Sequence, residues 1–130
     1  MLKIFVAITT SLALLLLVAS PSLAAPLKSK SPSVSASVAK NRRSMSASFL
    51  NIKNVKKISY QLTYDSNKGP QGAGGTINVP KNKNSLSRTL LFGTCSKNVC
   101  TYHKNLKNIK LSADFTLKSG GVISYEKKLK

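Results

Sequence analysis

Acidic residues are almost missing from this chain. Asp65, Asp114 and Glu126 are the whole set, against 21 Lys+Arg in 130 residues, for a formal net charge of +18. Tryptophan is absent, histidine occurs once and cysteine twice. Such scarcity excludes most catalytic designs. Three carboxylates and His103 do not furnish the closely set carboxyl pair of a glycosidase, a Ser-His-Asp arrangement or a four-ligand metal cage. No phosphate-cradling glycine motif precedes a helix. The expectation is a protein with no catalytic residues, no metal site and no cofactor. No second long apolar run follows the N-terminal one, so no transmembrane segment is expected in the mature chain.

What is present begins with a targeting pattern. Lys3 supplies a positive start, Ile4 to Val18 is nearly all apolar, Pro21 breaks the run, and Ser22-Leu23-Ala24-Ala25 offers small residues at cleavage spacing. A positive start, an apolar stretch and a small-residue end describe a secretory signal peptide over 1–24, cleaved after Ala24 or Ala25. The alternative, an uncleaved anchor, is disfavoured because the run falls short of the roughly 20 residues that span a bilayer. Export agrees with the cysteines. Cys95 and Cys100 enclose the turn Ser96-Lys97-Asn98-Val99, which places them opposite each other across a hairpin, as a disulfide requires. An oxidising compartment preserves such a bond. A redox pair, or a zinc site shared with His103, has the wrong spacing or too few ligands.

Residues 25–44 are rich in Ser, Pro, Lys and Ala and read as a flexible lead-in, although Val34, Ala36 and Val38 alternate with serines as an edge strand would. From 45 onward the alternation is β. Met45, Ala47 and Phe49 share one face; Ile58, Tyr60, Leu62 and Tyr64 share another, as do Ile109, Leu111, Ala113, Phe115 and Leu117. The stretch Gly69 to Gly75 reads as a turn, Thr76 to Val79 as a short strand, and Ser119-Gly120-Gly121 as a hairpin turn before a last strand carrying Ile123, Tyr125 and Leu129. About seven short strands, each with one apolar face, predict an all-β domain over 45–130, an antiparallel two-sheet β-sandwich; a barrel is the competing closure and needs more chain.

The succession of a tyrosine-bearing strand, a short edge strand and a final hairpin resembles the fibronectin type III and immunoglobulin-like sandwiches across Met45 to Lys130. The chain departs from the antibody pattern in lacking tryptophan and in carrying an extra hairpin at Cys95 and Cys100. One internal echo stands out: Asn51-Ile52-Lys53-Asn54-Val55-Lys56 recurs as Asn105-Leu106-Lys107-Asn108-Ile109-Lys110. An arch between sheets needs an apolar plug with polar flanks, so the echo is read as two solutions to one arch problem and not as a duplicated functional loop.

The charge points to partners. A surplus of one sign attracts polyanions at ordinary salt. The expected binding residues are Lys53, Lys56, Lys57, Lys104, Lys107 and Lys110, and the expected partner is an anionic envelope or extracellular polymer, or an acidic protein. The resemblance implies that the two arches, and so the two lysine groups, stand at opposite ends of the body. Tyr60, Tyr64, Phe115 and Tyr125 fall on inner faces, leaving no aromatic platform for bases, so sequence-specific nucleic-acid recognition is not expected. A second function, structural assembly by edge-strand addition with the lead-in as the donor, is the alternative.

Overall fold

The computed structural model describes residues 29–130; the expected signal peptide and the first residues of the lead-in lie outside them. The described residues form β-strands and connections, and no helix among them is long and apolar enough to cross a membrane. The strands are β1 (Ser33–Val38), β2 (Ser44–Leu50), β3 (Val55–Ser66), β4 (Gly69–Asn78), β5 (Ser85–Leu91), β6 (Gly93–Ser96), β7 (Val99–Tyr102), β8 (Lys107–Leu117) and β9 (Val122–Leu129). They assemble into a three-stranded sheet ordered β1-β2-β5, a four-stranded sheet ordered β4-β3-β8-β9 and a two-stranded ribbon β6-β7, all antiparallel.

The alternation explains the packing. Val34, Met45, Ala47 and Phe49 from the smaller sheet and Ile58, Leu62, Tyr64, Ile109, Leu111, Ala113 and Phe115 from the larger one are buried in a shared core. Phe49 spans the two layers, with its ring 5.7 Å from Tyr60 and 6.1 Å from Phe115. Seven strands in two facing sheets plus the ribbon match the expected all-β body.

Three expectations need correction. The lead-in is not separate from the domain: Ser33–Val38 is β1, paired along β2 from Ser33↔Leu50 to Val38↔Met45, because Val34, Ala36 and Val38 have apolar neighbours to cover. The glycine stretch is not a turn. The turn is confined to Asn67-Lys68, and Gly69 to Asn78 pairs continuously with β3. Backbone bonding replaces side-chain packing there, and the Tyr60 ring lies over Gly75, so that a Cβ at Gly75 would meet the Tyr60 hydroxyl at 2.8 Å. Tyr125 occupies the inner register, opposite Ala113, yet is 42% exposed. The smaller sheet has one strand fewer and leaves that part of β9 uncovered.

The outer faces differ in chemistry. On the smaller sheet the outward positions are Ser33, Ser35 and Ser37 on β1, Ser44, Ser46 and Ser48 on β2, and Ser85, Ser87 and Thr89 on β5, with Leu50 and Leu91 at the margins. Ser48 and Ser87 hydroxyls lie 3.0 Å apart. That face carries no charge. On the larger sheet the outer face holds all three carboxylates: Asp65 accepts a bond from Asn108, Glu126 pairs with Lys110 at 3.5 Å, and Asp114 stands opposite Ser59 and diagonal to Glu126. The carboxylates are therefore spread on an open sheet surface.

The echoed hexapeptides have a shared backbone cause. Asn51 and Asn105 both adopt left-handed conformations, with φ of 56° and 55°, which asparagine tolerates better than most residues. Each turns the chain so that the next residue, Ile52 or Leu106, is buried, with Val55 or Ile109 buried three residues later. The copies diverge at their second asparagine: Asn108 is also left-handed, at φ 51°, and accompanies the bulge where Thr63↔Lys110 gives way to Asp65↔Lys107.

Candidate functional site

The antiparallel register sends the expected lysines to two ends. Lys53, Lys56 and Lys57 lie at the start of β3, where Val55 faces Leu117 and Lys57 faces Thr116; Lys107 and Lys110 lie at the start of β8, opposite Asp65 and Thr63. Eight residues of strand separate Lys57 from Asp65, about 26 Å at roughly 3.3 Å per residue. The structure thus brings Lys104, Lys107 and Lys110 to one end and Lys53, Lys56 and Lys57 to the other. Within the first trio, Lys110 is engaged by Glu126. Within the second, Lys118 donates to the Lys53 carbonyl at 2.7 Å, adding a further ammonium to that end.

A cleft at the Lys104 end gathers cations that the sequence did not connect. It encloses about 640 Å³ and is lined by Asn41, Arg42, Arg43, Tyr102, His103, Lys104, Asn105 and Leu106, with no carboxylate among them. The first wall is the β1–β2 connection. Arg42 takes a left-handed φ of 51°, closing the turn through its N–H to the Ala39 carbonyl at 2.8 Å, and its guanidinium donates to the Leu106 carbonyl at 3.2 Å. The Arg43 carbonyl accepts the Phe92 N–H at 2.9 Å, and the Arg43 guanidinium stacks 5.0 Å above the Tyr102 ring. Stacking of this kind holds a guanidinium in place while its edge N–H groups remain open to a ligand.

The second wall is the run from Tyr102 to Leu106. The His103 N–H donates to Phe92 O at 2.8 Å, and Asn67 clamps Lys104 from both sides, its N–H to the Lys104 carbonyl at 2.9 Å and its side-chain oxygen to the Lys104 N–H at 2.8 Å. Beneath lies a buried pair: Tyr64 Oη and His103 Nδ1 are 3.0 Å apart, and Phe92 meets the Tyr64 ring edge-on at 5.0 Å. Burial pushes the Tyr64 phenol above its ordinary range, partly offset by the Gly93 backbone N–H directed at its oxygen.

The ribbon rises beside this cleft. Cys95 and Cys100 are cross-strand partners joined by a disulfide, with Cα atoms 4.0 Å apart. So short a loop contributes only about 2 kcal/mol in the chain-entropy account, so the bond pins the ribbon tip more than the whole fold. Gly93 lets the ribbon close, since a Cβ there would collide with the Thr101 carbonyl.

A second depression, of about 670 Å³, adjoins Asp65, Asn108, Lys110 and Lys128; there Asn108 is bonded to Asp65 and Lys110 is paired with Glu126, and a carboxylate in the lining disfavours an anion. Among the described residues no cluster of three His, Cys, Asp or Glu side chains is set to hold a metal ion. Of the cleft residues, only Lys104 was expected to bind. Arg42-Arg43 and the neighbours Tyr102-His103 were visible in the sequence as an isolated basic pair and as the chain's lone histidine, but nothing local joined them. Comparison with protein-family models, curated proteins and solved structures finds no match to this chain.

Proposed function

We propose that this chain is an exported, extracytoplasmic cationic binding module on an immunoglobulin-like or fibronectin type III-like sandwich, retained without catalysis at anionic envelope or extracellular polymers or acidic protein surfaces. The strand orders support the sandwich reading: β1, β2 and β5 parallel the A, B and E strands of such folds, and β3, β8 and β9 the C, F and G strands. One observation carries the binding reading, the convergence of Arg42, Arg43 and Lys104 in a cleft whose lining holds no acid. Elsewhere the lysines are spread over two ends, which favours solubility as much as adhesion. Retention on heparin, or on a phosphate-rich polymer, tests the reading. Log affinity is expected to fall against log salt with a slope of about −3, close to one unit per anion neutralised by the three cleft cations. Elution alongside a neutral protein of the same size at low salt would overturn it.

A second reading, assembly by strand addition, is favoured by the edge of β4. The Val79 N–H bonds the Lys56 carbonyl at 3.0 Å, so by ladder alternation Gln71, Ala73, Gly75 and Ile77 turn their backbone groups to β3. Those of Gly72, Gly74, Thr76 and Asn78 turn away, and Pro70 falls in this outward set, costing no ladder bond. Edges are usually blunted by charge: β5 carries Arg88 and β9 carries Glu126, Lys127 and Lys128, whereas Gly69 to Asn78, like the shorter edge strand β1, carries none. The lead-in is no longer the free donor, since Ser33–Val38 is committed to β1. Under this reading the protein self-associates at high concentration and screening salt, and Thr76→Pro, which removes an outward N–H, abolishes the dimer in sedimentation without lowering Tm. A strict monomer counts against it.

A further inference from the structure

We infer that His103 turns the Arg42–Arg43–Lys104 cleft into a discrete site for a single tetrahedral oxyanion, a phosphate group carried on the polymer. The inference deepens the adhesion reading and rests on it for the source of the anion. The argument begins with the buried pair. His103 is only 9% exposed, and its Nδ1 lies 3.0 Å from Tyr64 Oη. The phenol proton needs an acceptor, and the described residues offer it no other hydrogen-bond partner. Nδ1 fills that role. The imidazole proton is then placed on Nε2.

Nε2 has no hydrogen-bond partner among the described residues, and none of their buried side-chain nitrogen or oxygen atoms lacks a partner, so Nε2 reaches solvent. The cleft is the depression His103 lines. A histidine kept only for packing has no need of one ring nitrogen held by a buried tyrosine and the other opened onto a pocket edged by guanidinium groups. The result is an N–H donor on a cleft-lining residue, its ring held by Tyr64, which the Phe92 ring backs, and its backbone by the His103 N–H to Phe92 O. A donor held in position before binding loses little freedom when the ligand arrives.

The donor set selects the ligand. Imidazole N–H, guanidinium and ammonium groups offer protons and no acceptor, which suits an anion and repels a metal ion. The donors come from two chain segments, the turn at 41–43 and the run at 102–105, which line one cleft. A carboxylate presents two oxygens in one plane. Phosphate and sulfate present oxygens in tetrahedral directions and reach donors on both walls together.

NMR titration of the labelled mature protein with inorganic phosphate, at ionic strength held constant with chloride, is the test. A saturable shift of the His103 Nε2–H, with the amides of 42, 43 and 103–105, is expected; sulfate is expected to reproduce it and acetate is not. Arg43→Gln, an exposed change, weakens phosphate about tenfold, the loss of one charge-assisted hydrogen bond. Tyr64→Phe keeps the ring but frees the tautomer, so ring ¹⁵N shifts report a mixed imidazole while phosphate binding weakens at unchanged net charge. A phosphodiester chain displaces inorganic phosphate at least about tenfold more tightly per phosphate, as linked contacts allow; equal affinity overturns the polymer source. Linear, non-saturating drift that is the same for acetate and phosphate overturns the site, and continued salt-sensitive retention on polymer in that case leaves adhesion standing. Saturable phosphate binding without any polymer retention removes adhesion instead.

Discussion

Replacing Phe49 with alanine is expected to lower the stability of the domain by about 3–5 kcal/mol, the range for deleting a buried aromatic side chain. Phe49 is fully buried on β2, the middle strand of the smaller sheet, and meets Tyr60 and Phe115 from the two middle strands of the larger one. No other ring bridges the layers at that point in the described core, so the cavity opens where neither sheet can close over it. With domains of this size losing about 4–8 °C per kcal/mol, Tm falls by 12 °C or more. Urea and thermal unfolding of Phe49→Ala beside Leu50→Ala check this. Leu50 is 39% exposed on the outer face and its loss is expected to cost about 0.5 kcal/mol or less. A Phe49→Ala cost below about 1 kcal/mol would show that the two sheets are not held together by this contact.

The second large effect separates position from charge. The triple change Arg42→Gln, Arg43→Gln, Lys104→Gln and the triple change Lys53→Gln, Lys56→Gln, Lys57→Gln each remove three positive charges. If adhesion follows net charge alone, both reduce retention on an anionic polymer equally. The expectation is a drop of about 100-fold for the first at 0.15 M salt and of only a few-fold for the second. At that salt the screening length is about 8 Å, far less than the distance between the two ends, so charges at one end contribute little to an anion held at the other. Salt-dependent retention of the two variants, with circular dichroism to verify folding, decides the matter, and equal losses would remove the cleft from the account. Lys110→Gln is expected to change retention least within its trio, because Glu126 already engages that ammonium.

Strands with a wet side and a dry side were legible in the sequence because period-two alternation is a direct consequence of the pleat. Tyr60, Leu62 and Tyr64, or Leu111, Ala113 and Phe115, announce their sheet without help from distant residues. The hairpin at Cys95 and Cys100 was equally plain, and the echoed asparagines gained a backbone explanation that agrees with an arch motif. What stayed hidden has a physical reason in each case. Only the end of β4 showed itself, as the short strand from Thr76; its first part stayed hidden because Gly72, Gly74 and Gly75 signal a turn by intrinsic preference, while the ladder to β3 and the Tyr60 ring override it. Tyr125 holds an inner register position, opposite Ala113, and its exposure comes from the narrower opposing sheet, which no local pattern reports. The cleft was invisible because Arg43 and Tyr102 are far apart in the chain and are brought together by the Phe92 N–H to Arg43 O, His103 N–H to Phe92 O and Arg42 to Leu106 O bonds, which no local pattern encodes. The lone histidine and the adjacent arginines were the only hints.

The serine-covered side of the smaller sheet has its own consequence. Ser35, Ser46, Ser87 and their outward neighbours on the strands hold no ionisable group, so the wetting of that side is indifferent to ionic strength, whereas the fields of both lysine-bearing ends are screened by it. A molecule tethered by an end therefore keeps one flank whose hydration is the same in brine as in fresh water.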